Sequence, residues 1–157
     1  MIFVFIFAAS KETMFSKTCE YAIRAMIFIA QQSKNGHKTG LKEIVKGIDC
    51  PEFFIAKILQ DLGRRGLLQS AKGRNGGFYL DKQLMKCSVA DIVRAIDGDK
   101  LFSGCGLGLN ECSESKPCPI HHEFKKLRKN VFDMLQKAKL SDFPERLENN
   151  LAFLKRN

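Results

Sequence analysis

The fold of this chain is decided by residues 51–80, which read PEFFIAKILQDLGRRGLLQSAKGRNGGFYL. The first half predicts a short helix, because Cys50-Pro51 places proline at a position suited to a helix start and Gly66 provides a stop. The second half places apolar runs on either side of Asn75-Gly76-Gly77, whose residues accept positive φ angles and favour a β-hairpin. This stretch therefore predicts a helix followed directly by a hairpin.

Two further helices are predicted ahead of this stretch. The first is capped by Ser16 or Thr18 and runs to about Gln31, and the second covers residues 41–48. Three helices followed by a hairpin predict a winged helix-turn-helix, in a fold that is mostly α with a small β-hairpin. The third helix is expected to contribute apolar side chains at Phe54, Ile55, Ile58, Leu59 and Leu62.

Basic side chains occupy the positions where such a fold meets DNA. The hairpin tip carries Lys72, Arg74 and Asn75, which would reach the phosphate backbone or the minor groove. Lys57 lies on the third helix opposite its buried face, where it would reach base edges or phosphates in the major groove. The alternative is an ordinary surface hairpin with solvated charges.

The charge of the chain favours an anionic partner. The net charge is +9, and residues 14–83 hold 12 lysines and arginines against 6 acidic residues, while residues 84–157 hold 13 against 10. This uneven distribution favours nucleic acid over an acidic membrane surface, which the net charge alone would also suit. The sequence contains no Ser-His-acid set, phosphate-binding glycine loop or paired catalytic carboxylates. We therefore expect neither an enzyme nor a small-molecule substrate.

Three cysteines lie in the glycine-rich and polar segment GCGLGLNECSESKPCPIHH, residues 104–122. Cys105, Cys112 and Cys118 have few large neighbours to pack against, so their thiols are expected to serve chemistry. They could bind an iron-sulfur cluster or zinc, although gaps of six and five residues are longer than structural zinc sites usually have. His121 would lie one helical turn after Cys118 if a helix starts at Pro119. A loop of surface thiols is the alternative.

The cysteine content of the chain and the apolar run at its N-terminus indicate the compartment of the protein and where translation begins. Six cysteines at uneven spacing do not resemble an extracellular disulfide scaffold, so we expect a reducing, cytoplasmic environment. The apolar run MIFVFIFAA at residues 1–9 is too short to span a bilayer and lacks the basic region of a signal peptide. We expect Met14 to be the physiological start and residues 1–13 to be an extension.

Four segments, together with the three-cysteine loop, resemble one family. They are YAIRA at 21–25, PEFFIAKILQDL at 51–62, GLLQSAKGRNGGFYL at 66–80 and VADIVRAIDG at 89–98. The chain resembles the IscR, NsrR, RirA and CymR group of bacterial winged-helix transcription regulators from Met14 to about Phe143. The resemblance implies a homodimer that binds palindromic operators in double-stranded DNA, with no membrane partner. It also implies an iron-sulfur cluster, 2Fe-2S or 4Fe-4S, at Cys105, Cys112 and Cys118.

The resemblance also implies a division of the chain. After residues 1–13, it gives a winged-helix DNA-binding domain at 14–83, a linking helix at 84–100, a cluster loop at 101–121, and a dimerisation helix and tail at 122–157. Ser88 begins the linking helix with a capping box and Gly98 ends it. The long helix, His122 to Lys139, would cross the same helix of the second subunit and contact it through an apolar stripe. The tail from Glu145 is expected to add a short helix. The stripe consists of Phe124, Leu127, Val131, Met134, Leu135 and Ala138.

For the fourth ligand of the cluster, His121 is preferred over Glu20, because soft iron sites readily accept imidazole. His121 matches a histidine of IscR-like members, whereas Glu20 lies where NsrR-like members place an aspartate that reaches the partner's cluster. His122, water or a thiol are further alternatives. The resemblance implies a regulator switched by iron-sulfur status, oxidative stress or nitric oxide. The rival hypotheses are a metal-free thiol-disulfide regulator and a zinc-stabilised interaction module.

Overall fold

The computed structural model describes residues 13–155 and contains seven α-helices and two β-strands in that range. The winged-helix unit consists of α1 (Lys17–Lys34), α2 (Leu41–Ile48), α3 (Glu52–Arg64), β1 (Gln69–Ala71) and β2 (Gly77–Tyr79). It is followed by α4 (Val89–Asp97), α5 (Lys100–Ser103), α6 (His121–Lys137) and α7 (Pro144–Glu148). Single 3-10 turns cover Leu84–Lys86 and Leu140–Asp142. The predicted fold class, mostly α with a small antiparallel hairpin, is confirmed.

The first three helices enclose one hydrophobic core. Met26 of α1, Ile44 of α2 and Leu59 of α3 are fully buried in the same cluster. The turn between α2 and α3 passes through Asp49, whose φ of 50° is left-handed and ends α2. The core thus fixes the direction in which α3 presents its outer face.

The hairpin is fastened to this helical unit by its second strand. Strands β1 and β2 pair Ser70 with Phe78, and Phe78 also forms two backbone hydrogen bonds with Thr39, at 2.8 and 2.9 Å. Glycine is required in the connecting loop, because a Cβ atom at Gly76 would lie 2.2 Å from the carbonyl oxygen of Ala71. The wing is therefore held at a fixed angle beside α3.

Helix α4 links the winged unit to the rest of the chain. Ser88 Oγ accepts a hydrogen bond from Asp91 N at 3.1 Å, and Asp91 Oδ2 accepts one from Ser88 N at 2.8 Å, which is the predicted capping box. At the other end, Asp97 accepts a hydrogen bond at 2.9 Å from the backbone N–H of Ser16, the N-cap of α1. Helices α4 and α1 therefore form one packed unit.

The long helix begins and ends earlier than predicted. It starts at His121, not His122, because Cys118 already accepts a hydrogen bond from His121 N. It stops at Lys137 instead of Lys139, since Ala138 turns to an extended conformation and its carbonyl accepts a hydrogen bond from Val89 N. Ala138, which was expected to be helical, is thus hydrogen-bonded to Val89 at the start of α4.

Three other boundaries differ from expectation. Helix α1 continues beyond Gln31 to Lys34. The segment expected to be a loop from residue 101 begins with α5, so the irregular part covers residues 104–120. The tail is helical only as far as Glu148, because Asn150 adopts a left-handed φ of 55° and breaks the helix. The apolar run at 1–9 lies outside the described residues.

Phe54, one of the apolar residues predicted on the third helix, does not belong to the core. Its side chain remains 51% exposed and its ring is tilted against that of Tyr21, with 6.5 Å between the centroids. The adjacent Ile55 is fully buried, so the inward face of α3 excludes Phe54. Within residues 13–155, no helix combines the length and apolar character needed to cross a membrane.

Candidate metal centre and DNA-binding surface

The segment between α5 and α6 brings three thiols together. The Sγ atoms of Cys105, Cys112 and Cys118 all lie within 4.8 Å of one another, and those of Cys105 and Cys118 are 3.7 Å apart. Cys118 is buried, while Cys105 and Cys112 are half-buried. The three cysteines predicted to bind a metal therefore converge on one point.

Helix α6 holds the start of this loop in place. The backbone of Gly106 packs against the ring of Phe124 so closely that a Cβ atom would lie 2.5 Å from the ring carbons. Arg128, one turn further along α6, donates a hydrogen bond to the carbonyl oxygen of Gly104. These contacts place Cys105 against the helix and require glycine at position 106.

The thiols differ in how readily they lose a proton. Hydrogen bonds from the backbone N–H groups of Leu109 and Leu107 lower the pKa of Cys105 to about 7, and the neighbouring thiols add to the effect. Burial raises the pKa of Cys118 above the usual thiol value. Metal ions bind thiolates, so the lowered pKa of Cys105 favours this residue as a ligand.

His121 extends the group of soft donors. It lies in the first turn of α6, is only 6% exposed, and places Nδ1 at 3.1 Å from Cys112 Sγ. Its Nε2 lies 3.1 Å from Oε1 of Glu114, which also accepts a hydrogen bond from Lys125. The hydrogen bonds from Lys125 and His121 lower the pKa of Glu114 to about 2.

The alternative fourth ligands lie elsewhere. Glu20 is on α1, where it forms an ion pair with Lys17 at 3.0 Å. His122 is exposed on α6. Among residues 13–155, the only group of three or more metal-binding side chains in mutual reach is formed by the three loop cysteines. Among the candidate fourth ligands, His121 is the residue whose side chain contacts a cysteine of this group, Cys112, in the same chain.

Three thiols and one imidazole fit an iron-sulfur cluster, which is held by thiolates and accepts histidine in some centres. The donors fall into two close pairs, Cys105 with Cys118 and Cys112 with His121. A tetrahedral zinc ion fits as well, since bonds of about 2.3 Å place sulfur atoms roughly 3.8 Å apart. The donor set is therefore chemically suited to iron or zinc.

The other three cysteines are poor ligands. Burial raises the pKa of Cys19 and of Cys87 to about 12, and nearby aspartates add to the effect. Burial also raises the pKa of Cys50. Thiols that stay protonated at neutral pH behave as small apolar side chains, and Cys19 and Cys50 are buried among such residues.

The second candidate site is the surface shared by α3 and the wing. A groove of about 990 Å³ separates them, with Lys57 on its helical side. Lys72, Arg74 and Asn75 are exposed in the loop between β1 and β2. The four residues predicted to bind DNA therefore lie on α3 and on the tip of the wing.

The groove contains side chains that sequence reasoning missed. Phe53, which is 83% exposed, shares its helical side with Gln60 and Arg64. Phe53 lies four residues before Lys57, and Gln60 and Arg64 lie three and seven residues after it. This helical spacing places them on the same face of α3 as Lys57, so the sequence alone could have predicted them. If α3 enters a DNA groove, a ring this exposed at the start of the helix is available for apolar contact with the bases.

The fold is that of a winged-helix protein, and the comparisons with known proteins show its family. The model of the Rrf2 family, described as an iron-dependent transcriptional regulator, matches residues 15–146. The chain therefore belongs to the Rrf2 family. The proteins of this family regulate transcription, so the chain is a regulator and not an enzyme, as the sequence predicted.

Individual relatives agree with this assignment. A protein of Aquifex aeolicus, named among HTH-type transcriptional regulators, is 31% identical over 131 residues, covering 82% of this chain and 90% of the relative. The regulator NsrR of Oceanobacillus iheyensis is 27% identical over 139 residues, covering 88% and 94%.

Solved structures share the fold. CymR, the global cysteine regulator of B. subtilis, aligns with a TM-score of 0.70 at 22% identity, over 85% of this chain and 98% of CymR. IscR of T. potens aligns with a TM-score of 0.66 at 22% identity, over 90% and 92%. The family model and the relatives confirm the resemblance drawn from the sequence, and the solved structures confirm the fold.

Proposed function

We propose that this protein is a homodimeric transcriptional regulator whose operator binding is switched by an iron-sulfur cluster. The convergence of Cys105, Cys112 and Cys118, with all Sγ atoms within 4.8 Å, carries the proposal. His121 is the fourth ligand, and Glu20 of a second copy is the runner-up. The description of the family as iron-dependent supports iron as the metal. When bound, the cluster supplies iron that reacts with oxidants or nitric oxide.

The chain's own contacts provide a route from this site to DNA. The loop is fastened to α6 through Gly104 and Gly106, and α6 packs on α4 through Leu135. Helix α4 in turn packs on α1 of the winged unit. A difference of a few kcal/mol in affinity for two arrangements of these helices is enough to switch operator occupancy.

A homodimer through α6 is supported by its exposed apolar side chains. Leu127 is 53% and Met134 is 58% exposed, and with the half-buried Val131 they share one side of the helix. Leu135 points into the protein's own core instead, so the predicted stripe is divided between two surfaces. A two-fold dimer would cover the exposed part and present two winged units to a palindromic operator.

We further propose the division of the chain that follows from this arrangement. Residues 14–83 bind DNA, with Lys57 in the major groove and Lys72, Arg74 and Asn75 at the backbone or minor groove. Residues 84–100 link this domain to the segment 101–121, which contains the cysteine loop, and residues 122–157 provide the dimer contact. The partners are double-stranded DNA and a second copy of the chain.

Anaerobic purification followed by an absorption spectrum and by counts of iron, sulfide and zinc tests the proposal. The parent protein should be coloured and contain iron and sulfide, and Cys112→Ala should lose both. Cys87→Ala is the matched control and should keep them, because Cys87 is half-buried and lies outside the group of three converging thiols. Zinc without sulfide in the parent, or full colour in Cys112→Ala, would contradict the cluster.

A metal-free thiol-disulfide switch is the second candidate. The 3.7 Å between the thiols of Cys105 and Cys118 and the lowered pKa of Cys105 favour it. Oxidation by a peroxide would remove two electrons and two protons from this pair and form one disulfide. Cys112→Ala distinguishes the candidates, because it removes a cluster ligand and leaves the disulfide-forming pair intact.

A further inference from the structure

Glu114 connects the cysteine loop to the first turns of α6. Its Oε1 atom lies 3.1 Å from Nε2 of His121 and accepts a hydrogen bond at 2.6 Å from Nζ of Lys125. His121 and Lys125 are one helical turn apart, so a single carboxylate bridges them. The Glu114 side chain is 64% exposed, whereas that of His121 is only 7% exposed. The imidazole is therefore held between the half-buried thiol of Cys112 and a carboxylate at the surface.

A neutral imidazole carries one proton, and its location decides which nitrogen can bind a metal. Oε1 of Glu114 already accepts a hydrogen bond from Lys125 Nζ, and a carboxylate oxygen facing a ring nitrogen accepts from an N–H, so this contact favours the tautomer of His121 with the proton on Nε2. The lone pair of Nδ1 is then free, and Nδ1 is the nitrogen that faces Cys112 Sγ at 3.1 Å. The contacts of the His121 ring with Glu114 and Cys112 are therefore both consistent with the same ring orientation and with the Nε2-protonated tautomer.

We propose that Glu114 is a positioning residue that selects the Nε2-protonated tautomer of His121 and so presents Nδ1 to the metal. Lys125 holds the carboxylate in place from the next turn of the helix. This inference rests on the proposed function, because it treats His121 as the fourth ligand. Carboxylates that receive the second N–H of a ligating histidine orient the ring and strengthen its binding.

Glu111 provides a matched control within the same loop. It forms an ion pair with Lys116 at 3.2 Å, and its side chain is 81% exposed. Removing Glu111 changes the charge of the loop by the same amount as removing Glu114. An effect that comes only from loop charge would therefore occur in both variants.

The first experiment reads the tautomer directly in metal-free protein by NMR of ¹⁵N-labelled histidine. The parent should show the proton of His121 on Nε2, and Glu111→Ala should match it. Glu114→Ala should lose this preference, whereas Glu114→Gln should keep it because the amide oxygen still accepts. An unchanged tautomer in Glu114→Ala, or a proton on Nδ1 in the parent, would overturn the proposal.

The second experiment measures iron loss from anaerobically prepared protein in the presence of EDTA. Glu114→Ala should lose iron about tenfold faster than the parent, as expected when a partner of a ligating histidine is removed. Glu111→Ala should lose it at the parent rate, and equal rates for parent and Glu114→Ala would count against the proposal. If the parent binds no iron, the proposed function fails, and the tautomer measurement still decides the role of Glu114.

Discussion

Arg128 donates a hydrogen bond from Nη1 to the backbone carbonyl oxygen of Gly104 at 2.5 Å. Gly104 directly precedes Cys105, and Arg128 follows Leu127, whose exposed side chain belongs to the proposed dimer face. One contact thus joins the first thiol of the loop to the helix that is proposed to hold the dimer together. A rearrangement of the cysteine loop would therefore shift α6 through this hydrogen bond.

Arg128→Ala should uncouple the metal site from DNA. The ratio of operator affinities of loaded and metal-free protein should fall toward one, while iron content stays near that of the parent, because Arg128 donates its hydrogen bond to a backbone carbonyl and not to a thiol. Binding titrations of both forms measure the ratio. Lys129→Ala is the control, since Lys129 pairs with Asp133 on the same helix. An unchanged ratio in Arg128→Ala would remove this contact from the switching route.

Substitutions on α3 and the wing should separate sequence recognition from simple charge. Arg74→Ala should weaken operator and random DNA alike and lower the salt slope by about one, as expected for a lost phosphate contact. Lys57→Ala should weaken operator binding by about 1 to 3 kcal/mol if Lys57 contacts a base. Salt titrations on both kinds of DNA measure these effects. Parent-like binding by both variants would refute the proposed docking.

Leu127→Glu should convert the dimer into a monomer. It places a charge on the apolar face of α6 without disturbing the core, because Leu127 is 53% exposed in the single chain. Leu151→Glu is the control, since Leu151 is 70% exposed on the tail. Sedimentation at micromolar concentration measures the mass. A parent protein that sediments as a folded monomer would rule out the dimer itself.

Alkylation of the metal-free protein should be selective and depend on pH. The thiolate is the reactive form, so a thiol whose pKa is lowered to about 7 is half reactive at neutral pH. Labelling of Cys105 by iodoacetamide should therefore rise through neutral pH and level off above it. Cys19 and Cys87, with pKa values raised to about 12, should stay unlabelled over this range. Peptide mapping that found Cys87 labelled as fast as Cys105 would contradict the assignment.

Local signals in the sequence predicted the parts of the fold that local interactions determine. The capping box at Ser88 and the stop at Gly98 gave the bounds of α4, because both depend on neighbouring residues only. The glycines within residues 73–77 predicted the wing, because a hairpin turn also depends on neighbouring residues only. The convergence of the three cysteines followed from their shared loop and from the chemistry of thiols.

Tertiary contacts determined what the sequence could not predict. The early end of α6 depends on the pairing of Ala138 with Val89, which are far apart in the chain. The exposure of Phe54 depends on which side of α3 meets the core, and its apolar character alone suggests the opposite. The contact between Glu114 and His121 arises in an irregular loop, where no periodicity indicates which carboxylate meets the ring.

The affinity for operator DNA before and after metal removal tests the central claim most directly. An operator selected from random DNA would be titrated with anaerobically purified protein, and again after EDTA treatment. We predict a change of about tenfold or more, corresponding to at least 1.4 kcal/mol. Cys118→Ala should show the metal-free affinity under both conditions. Equal affinities of the parent before and after metal removal, with the iron shown to be gone, would contradict a metal-controlled regulator.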